Sequence, residues 1–546
     1  MKKWAALAVV ASGLVLLSYT PTADRYFEIA KNLDIFATLF REINDKYVDD
    51  VNPNTLMRTG IDAMLESLDP FTNYIPENEV EDYRTINTGQ YGGIGALTRE
   101  IGGRTIVTMM YEGYPAYRGG LRIGDEFIKV DEVELSKLTS DQTNQLMHGQ
   151  VGTTVSLTIR RFGVKDPVKL SFKREKIKIS NVPYYGIIGG NMGYIRLSNF
   201  TPDAGKEVRA AVIALKESGA KGIILDLREN PGGLLDEAVN ICNIFLPKGK
   251  LVVTMKGRIP EYNHEYKTTA TPTDMDIPVA VVINRNSASA SEIVAGTMQD
   301  YDRGIVVGEK SYGKGLVQLT RQLVYNSQVR ITMAKYYTPT GRCIQVLDYS
   351  HRRPDGSAGP VPDSLKKAFK TTNGRTVYDG GGIDADVLVD YQPLSSIAET
   401  LLTNGLLFEY ATRYASRHAT IGLAKDFSLT DTDYQEFVSW IKTKEYTYQS
   451  PMERELETLK TTAKAERLLE ELQPQIDQIQ ERLADSRKND LMTFKDQLKS
   501  LLEEEIVGRY FLERGQAEVS FKDDPEIRKA VEILGNNTQY KKILVP

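Results

Sequence analysis

The sequence predicts a multidomain α/β protein, and three observations support this. The chain has 546 residues, which at roughly 150 residues per domain is enough for three or four domains. Apolar residues make up 41% and charged residues 26%, a composition typical of folded globular proteins. Between residues 192 and 307, apolar strands alternate with amphipathic helices. This alternation indicates an α/β layer with a partly parallel sheet.

Residue counts exclude several classes of protein. Lysine and arginine number 68 against 73 aspartates and glutamates, a net charge of -5, whereas nucleic-acid binders carry a basic stripe or a basic domain. Two cysteines cannot form a disulfide framework, and no cysteine pair has zinc spacing. The four histidines are far apart in sequence: His148, His264, His351 and His418. We therefore predict no metal, no cofactor and no nucleic-acid partner, and few candidates for a Ser/His/Asp triad.

Residues 1–23 are predicted to be a signal peptide or N-terminal anchor. Lys2 and Lys3 precede an apolar run from Trp4 to Leu17, and small polar residues follow it. This order is typical of a secretory signal, and the run is shorter than the roughly 20 residues that cross a bilayer. We expect an exported protein, periplasmic or associated with the cell envelope. Cleavage near Ala23 is the favoured interpretation, and an uncleaved anchor stays open.

Residues 24–88 are predicted to form an N-terminal helical region. Apolar residues recur there at steps of three and four, as one buried face of a helix requires. The first stripe comprises Ile29, Leu33, Phe36, Phe40, Ile43 and Tyr47. The second comprises Met57, Ile61, Met64 and Leu65. We expect both stripes to be core packing that carries no chemistry.

Residues 89–175 are strand-like and rich in glycine. A first glycine-rich loop comprises Tyr91, Gly92, Gly93, Ile94 and Gly95, and a second run follows at residues 113–125. Together they resemble a PDZ domain, although the first loop alone would read as a plain turn. The resemblance implies that this loop turns backbone N–H groups toward a terminal carboxylate, and that a helix at 139–149 lines the groove. Its partners would be peptides and protein C-termini.

Residues 176–390 contain the α/β alternation. The predicted strands are Met192–Leu197, Gly222–Leu227, Val279–Ile283 and Gly304–Val307. The predicted helices are Asp203–Ser218, Leu235–Phe245 and Ile293–Gln299. The second strand is almost entirely apolar, as expected for a strand that is covered on both faces.

The loops after these strands allow three interpretations. The loop from Gly308 imitates a phosphate-binding loop, but Gly315 stands where that motif needs serine or threonine. Alternatively, Ser289 and Glu292 form only a helix capping box. The third interpretation is nucleophilic catalysis by a serine at a helix N-terminus, where partial positive charge favours an oxyanion. Lys314 would be its base, provided that burial keeps the amine neutral.

Two further points favour catalysis without selecting one serine. No histidine lies between His264 and His351, so a lysine is the nearest candidate base. Gln318 follows Lys314 by four residues, a spacing that returns to the same side of a strand and to nearly the same face of a helix, so its amide could hold the amine in either structure. The residues alone leave Ser287, Ser289 and Ser291 as alternative nucleophiles.

Several motifs in order resemble the carboxyl-terminal processing proteases, also called tail-specific proteases. They follow the PDZ-like segment and are Asp226–Gly233, Ser287–Glu292, Gly313–Gln318, Tyr337–Gln345 and Gly381–Ile383. The similarity covers residues 89–390, about half of the chain. Ala385 departs from the proline that usually precedes the aspartate of the last motif. The resemblance implies a crotonase-like protease core with the PDZ domain inserted after the N-terminal helical part.

The resemblance also implies a role for each site residue. Ser289 would be the nucleophile, Lys314 the general base and Gln318 the residue that orients the lysine. The oxyanion hole would comprise backbone N–H groups of Ala290 and of the Gly232–Gly233 turn. Arg228 and Glu229 are predicted to be structural, as an ion pair within their loop.

The predicted function is an exported serine endopeptidase that binds protein C-terminal tails through its PDZ domain. Two alternatives remain. A catalytically inactive PDZ scaffold or adaptor of the cell envelope is disfavoured because Ser289, Lys314 and Gln318 are all present. A trypsin-like PDZ protease would need a Gly-x-Ser-Gly turn, which does not surround Ser289.

Residues 391–546 lie outside the resemblance and are predicted to be a C-terminal helical domain. They are rich in glutamate, lysine, leucine and glutamine, with few glycines, as in long helices joined by short loops. The distributed charge indicates a solvated face over a modest core. An arm for homo-oligomerisation or for docking an envelope adaptor protein is the alternative.

Overall fold

The computed structural model describes residues 21–136, 138–390 and 392–545. The predicted signal segment therefore lies almost wholly outside the described residues. Within the described ranges, no helix combines the length and the apolar character that a membrane crossing requires. By its contacts the chain divides into two units, residues 1–76 with 320–331, and residues 77–319 with 332–546.

The first unit contains two helices and a short strand, α1 (Pro21–Lys46), α2 (Pro53–Glu66) and β1 (Asn73–Ile75). Strand β1 pairs with residues 328–330 in antiparallel register. The prediction that both stripes are buried is wrong for this region, because Ile29 and Leu33 on α1 are 48% and 63% exposed and Met64 on α2 is 62% exposed, whereas Leu65 is buried. The physical reason is size. At 1.5 Å per residue the 26-residue α1 is far longer than the 14-residue α2, which cannot cover it.

The second unit begins with the PDZ-like segment. Its helices are α3 (Val80–Thr88), α4 (Pro115–Arg118) and α5 (Ser140–Met147). Its strands are β2 (Gln90–Gly93), β3 (Ala96–Ile101), β4 (Arg104–Met110), β5 (Glu126–Val130), β6 (Val133–Glu134), β7 (Thr154–Arg160), β8 (Val168–Lys173) and β9 (Glu175–Lys178). Strands β3, β4, β5, β7 and β8 form one sheet in that order, while β2 pairs with β9. Phe408 and Leu512 from the C-terminal helices pack against the apolar core of this segment.

A six-stranded sheet forms the centre of the α/β core. Its strands are β10 (Tyr184–Ile188), β11 (Met192–Arg196), β12 (Gly222–Asp226), β15 (Val279–Ile283), β16 (Ile305–Gly308) and β23 (Val387–Leu388), in that order. All neighbours are parallel except β10 and β11. Helices α6 (Ala204–Glu217), α7 (Leu235–Phe245) and α8 (Ala290–Asp300) cover one face. Parallel strands end at a common edge, so the loops after β12, β15 and β16 meet there.

Smaller sheets surround this layer. One of these sheets contains β13 (Leu251–Gly257), β14 (His264–Lys267), β17 (Leu316–Gln322) and β18 (Gln328–Tyr337). Strand β13 pairs with β14 and with β18 in antiparallel register, and β17 pairs with β18. Two hairpins follow, β19 (Leu347–Arg352) with β20 (Ala358–Pro360), and β21 (Ala368–Lys370) with β22 (Thr376–Tyr378).

The C-terminal residues are helical, as predicted. The helices are α9 (Ser396–Thr403), α10 (Leu406–Arg417), α11 (Asp431–Ile441), α12 (Pro451–Ala465), α13 (Leu469–Arg487), α14 (Asp490–Thr493), α15 (Lys495–Ser520), α16 (Pro525–Gly535) and α17 (Asn537–Leu544). Helices α9 to α11 and the first half of α15 share an apolar core of their own.

The last helices belong to the α/β core rather than to a separate arm. Ile527, Ala530 and Ile533 of α16 are fully buried against the second face of the six-stranded sheet, together with Tyr540 and Leu544 of α17. The Tyr540 hydroxyl also accepts a 3.1 Å hydrogen bond from the Val279 N–H of β15. The expectation of a solvated face over a modest core is therefore wrong for this end of the chain. The sheet strands are apolar on both sides because both sides are covered.

Candidate active site

The three predicted serines lie together at the carboxyl edge of the sheet, and their surroundings separate them. Ser287 is fully buried and its hydroxyl donates to the Leu227 carbonyl at 2.8 Å. Ser291 is also fully buried and donates to the Asn230 carbonyl at 2.9 Å. Ser289 is half-buried and stands at the N-terminus of α8. The outer two hydroxyls thus tie the turn to the loop after β12, and Ser289 occupies the helix N-terminus.

The backbone at Ser289 is unusual. Its φ is 55° and its ψ is -113°, values that a residue with a side chain rarely adopts. Such strain persists only where the surroundings over-determine the conformation, and it clusters at functional sites. Here the Tyr336 hydroxyl, which is almost wholly buried, donates to the Ser289 carbonyl at 3.2 Å.

Glu292 joins the serine turn to the loop that carries Lys314. Its fully buried carboxylate accepts from the N–H of Ser289 at 2.8 Å and from the N–H of Lys314 at 3.0 Å. It also accepts from the Gly313 N–H at 2.7 Å and from the Ser311 hydroxyl at 2.6 Å. Burial raises the pKa of Glu292 to about 7, and the four donors oppose that rise. The capping interpretation and the catalytic interpretation are therefore compatible, because one carboxylate serves both loops.

The same contacts bear on the phosphate-loop interpretation. The backbone N–H groups of Gly313 and Lys314 point at a glutamate of the chain itself. Gly313, at φ 85°, also leaves no room for a side chain, since a Cβ would lie 2.0 Å from Val346. The loop is thus packed between the serine turn and residues 344–346. Lys314 is only 9% exposed.

Gln318 lies on β17, beyond the lysine loop. Its side-chain amide donates to the Thr332 hydroxyl of β18 at 3.1 Å. This contact fixes the amide on the strand next to the lysine loop. Whether the amide also orients Lys314 stays a prediction.

Gly232 and Gly233 approach the serine turn from the loop after β12. A Cβ on Gly232 would lie 2.8 Å from the Ala290 nitrogen and 2.9 Å from the Ser289 Cβ, so the predicted oxyanion residues are adjacent. The Gly232 N–H itself donates to the Asn230 side chain at 2.9 Å. Gly233 forms a parallel bridge with Phe200. Asn230, which the sequence did not single out, thus organises this turn.

Arg228 and Glu229 do not pair with each other, so the predicted loop ion pair is wrong. The Glu229 carboxylate instead accepts from the side-chain amides of Asn284 and Asn286, at 2.6 and 2.8 Å. The Arg228 guanidinium pairs with Asp226 at 2.6 Å and with two carboxylates near α16. The turn of the chain at Glu229, where φ is 59°, sends the two side chains to different partners.

The predicted peptide-binding segment begins inside β2, where Tyr91, Gly92 and Gly93 pair with β9, and Ile94 and Gly95 connect it to β3. The Gly92 carbonyl accepts from the Gly149 N–H at 3.0 Å, just after α5. The Tyr91 ring lies 4.6 Å from the His148 ring. Thr98 on β3 donates to Asn144 on α5 at 2.9 Å, so the two elements that are predicted to line the groove face each other.

Comparison with known proteins identifies three matching stretches. Residues 191–349 match peptidase family S41, residues 106–161 match the PDZ domain, and residues 397–534 match the C-terminal helical domain of probable PDZ-proteases. Each stretch falls inside one of the ranges predicted from sequence, and the exact boundaries of those ranges stay predictions.

Individual relatives agree with these matches. The chain is 35% identical over 378 residues to a carboxy-terminal-processing protease of Bartonella bacilliformis, which covers 68% of this chain and 85% of that one. It is 32% identical over 357 residues to a probable CtpA-like serine protease of Staphylococcus aureus, over 63% of this chain and 71% of that one. Among solved structures, the photosystem II D1 C-terminal processing protease aligns at 24% identity with a TM-score of 0.35, over 65% of this chain and 92% of that one.

Proposed function

Since the chain belongs to the carboxy-terminal-processing proteases, with a core of peptidase family S41 and a PDZ domain, we propose that it is an exported serine endopeptidase that recognises protein C-terminal tails. The nucleophile is Ser289 and the general base is Lys314. The observation that carries this proposal is the Glu292 carboxylate, which binds the backbone N–H groups of both residues. The lysine and serine loops are therefore held in fixed relation.

Ser289 is the best supported nucleophile of the three serines. The hydroxyls of Ser287 and Ser291 are buried and donate to backbone carbonyls, whereas Ser289 is half-buried at the start of an 11-residue helix. The positive end of that helix favours the negative charge that develops on a substrate carbonyl oxygen. Attack by the Ser289 hydroxyl forms a tetrahedral intermediate, which collapses to an acyl-enzyme as the peptide amine leaves.

Lys314 transfers the protons in both half-reactions. Its burial favours a neutral amine, which takes the hydroxyl proton of Ser289 and then gives it to the leaving amine. The same amine removes a proton from the water that hydrolyses the acyl-enzyme. Gln318 restrains the lysine from β17.

The oxyanion hole comprises the N–H groups of Ala290 and Gly233. Gly232 contributes room rather than a donor, because its N–H is bonded to Asn230 and its missing side chain lets the turn approach Ala290. Two donors at such a site stabilise the tetrahedral oxyanion, and the loss of one typically costs about 100- to 1,000-fold in turnover.

The PDZ domain selects the substrate. A C-terminal strand that adds to the edge of β3 would place its carboxylate at the loop formed by Tyr91–Gly95. The N-terminal pattern of Lys2, Lys3 and an apolar run supports export. Export would place the enzyme among envelope proteins, whose tails are its proposed substrates.

Turnover of an unfolded protein substrate tests the catalytic assignment. Ser289→Ala and Lys314→Ala are each expected to lower kcat by more than about 1,000-fold, and wild-type activity should rise with pH as the lysine loses its proton. Lys310→Ala is the matched control. Lys310 stands four residues before Lys314, and its half-exposed side chain pairs with Asp384. Full activity of Ser289→Ala would refute the mechanism.

A pair of peptides tests the recognition of tails. The two share one sequence and differ only in a free or an amidated C-terminus. Amidation removes the charge that the loop at Tyr91–Gly95 is proposed to bind, so KM should rise at least about tenfold with kcat little changed. Equal KM values would refute the recognition of tails and leave the Ser289 assignment intact.

A further inference from the structure

The Arg228 guanidinium connects the oxyanion loop to the C-terminal helices. Its Nη2 donates to Asp226 at 2.6 Å and to Asp524 at 2.7 Å, and its Nη1 donates to Glu526 at 3.3 Å. Arg228 stands four residues before Gly232, whereas the last two carboxylates come from a segment almost 300 residues later. The side chain of Arg228 is 17% exposed and those of Asp524 and Glu526 are 14% and 13% exposed, so solvent screens the network weakly.

Asp524 is held in place by contacts within its own segment. Asp524 is the N-cap of α16, and its second carboxylate oxygen accepts from the Ile527 N–H at 2.9 Å. Helix α16 is itself fixed on the sheet, because Ile527, Ala530 and Ile533 are buried there. The position of Asp524 is thus set by the packing of the helix and not by Arg228.

The loop after β12, which carries Arg228, is hydrogen-bonded to the serine turn through consecutive residues. Glu229 binds the side chains of Asn284 and Asn286. The Asn230 carbonyl accepts from the Ala288 N–H at 3.0 Å. The Asn230 side chain then holds the Gly232 N–H. A shift of Arg228 would therefore be passed along consecutive residues to the turn beside Ser289.

We propose that Asp524 and Glu526 are positioning residues of the protease reaction, which act through Arg228 to hold the turn that carries Gly233. The inference deepens the proposed function and rests on it. A C-terminal helix then supplies part of the catalytic framework, although none of its residues touches the substrate. The charges fit this role, since one guanidinium can donate to several carboxylates in a fixed planar geometry.

The test uses Asp524→Asn and Glu526→Gln in the full chain. Asparagine remains a good N-cap, so Asp524→Asn keeps the cap of α16 and removes only the charge that Arg228 binds. Turnover of the unfolded substrate should show a kcat lowered about 10- to 100-fold, as small displacements of catalytic groups produce, with KM within about twofold and a chain that stays folded at the assay temperature although the loss of one charge lowers its melting temperature. Glu526→Gln should show the same pattern and provides a second variant if the first folds poorly.

Two controls lie nearby on the same segment. Asp523→Asn removes an exposed carboxylate that binds Ser500, and Glu532→Gln removes one that pairs with Lys529 on the outer side of α16. Both should keep the wild-type kcat. In an Arg228→Lys background, Asp524→Asn should lower kcat less than it does alone, because the effect passes through the guanidinium.

Three outcomes would overturn the inference. They are a wild-type kcat in both Asp524→Asn and Glu526→Gln, an equal loss in the two controls, and full additivity with Arg228→Lys. Ser289→Ala measured in parallel distinguishes this failure from that of the proposed function. If Ser289→Ala is inactive and Asp524→Asn is fully active, only the positioning role is lost.

Discussion

Helices α1 and α16, near the two ends of the described chain, carry similar apolar stripes in opposite surroundings. On α1, Leu33 is 63% exposed and Phe36 44% exposed. On α16, Ile527 and Ile533 are 2% and 0% exposed, between the helix and the sheet. Both stripes repeat at the helical period, so periodicity alone does not distinguish them.

The difference lies in what each helix meets. Helix α1 meets the shorter α2 at the Phe36 ring, beside Gly60, whereas α16 lies on a sheet whose strands carry buried apolar residues on both faces. A helix stripe shows that a face favours burial, and the remainder of the fold decides whether a partner of matching size exists. Helices α16 and α17 therefore bury apolar side chains against the sheet, while much of the apolar stripe of α1 is exposed.

The largest expected effect is the difference in folding between two deletions, one at each end of the described chain. Removal of residues 521–546 uncovers the apolar face of the sheet formed by residues such as Ile224, Val282 and Val307. We expect an insoluble or unfolded core without protease activity, because a large exposed apolar patch is not tolerated. Removal of residues 21–48 should leave a soluble chain whose melting temperature changes by less than about 5 °C.

Solubility, far-UV circular dichroism and substrate turnover measure both deletions. A soluble and active chain without residues 521–546 would mean that α16 and α17 are dispensable, as in an independent arm. A comparable collapse without residues 21–48 would mean that α1 is buried in solution.

A pair of matched substitutions tests the difference in burial at one side chain of each helix. Ile533→Asp places an unpaired carboxylate against the sheet and should lower the free energy of unfolding by about 4 kcal/mol or more. Leu33→Asp makes the same kind of change on α1, where the side chain is exposed, and should cost less than about 1 kcal/mol. Chemical denaturation with urea measures both. Equal losses would contradict the difference in burial between the two helices.

Much of the fold follows from local sequence. The strand at residues 222–226 is apolar up to Asp226 at its end, and this pattern correctly predicts a covered strand with a polar loop after it. Ser289 and Glu292 match a capping box in the sequence, and in the structure the Glu292 carboxylate accepts from the Ser289 N–H at the start of α8. These features depend on residues within a few positions of each other, where periodicity and capping chemistry act.

The remainder depends on pairs that are far apart in sequence. Glu292 appears in the sequence as a helix cap, and its contact with Lys314 requires the loop after β16 to fold over it. Arg228 precedes Asp524 by 296 residues, and no local pattern links them. Three neighbouring serines looked equivalent until the loop after β12 supplied acceptors for two of them. Long-range packing decides such contacts, and a single sequence contains no local pattern from which they can be predicted.

The smallest expected effect concerns Glu504 of α15, near the junction of the C-terminal helices with the core. Burial, followed by the nearby carboxylates of Glu505 and Asp524, raises the pKa of Glu504 from 4.5 to about 7. Its protonated form stabilises the folded chain fully below pH 4.5, and this stabilisation is lost as the pH rises to about 7, because the unfolded chain releases the proton first.

Glu504→Gln stays neutral at every pH and removes this loss. At pH 5 the variant and the wild type should unfold at similar urea concentrations. At pH 8 the variant should be more stable by about 1–3 kcal/mol, because each unit of pKa shift corresponds to about 1.4 kcal/mol and partial exposure of the side chain reduces the effect. Glu470→Gln, at an exposed position of α13, should change neither value. An identical pH dependence in wild type and Glu504→Gln would mean that water reaches Glu504 freely. The C-terminal helices would then be less closely joined to the core than the burial of α16 indicates.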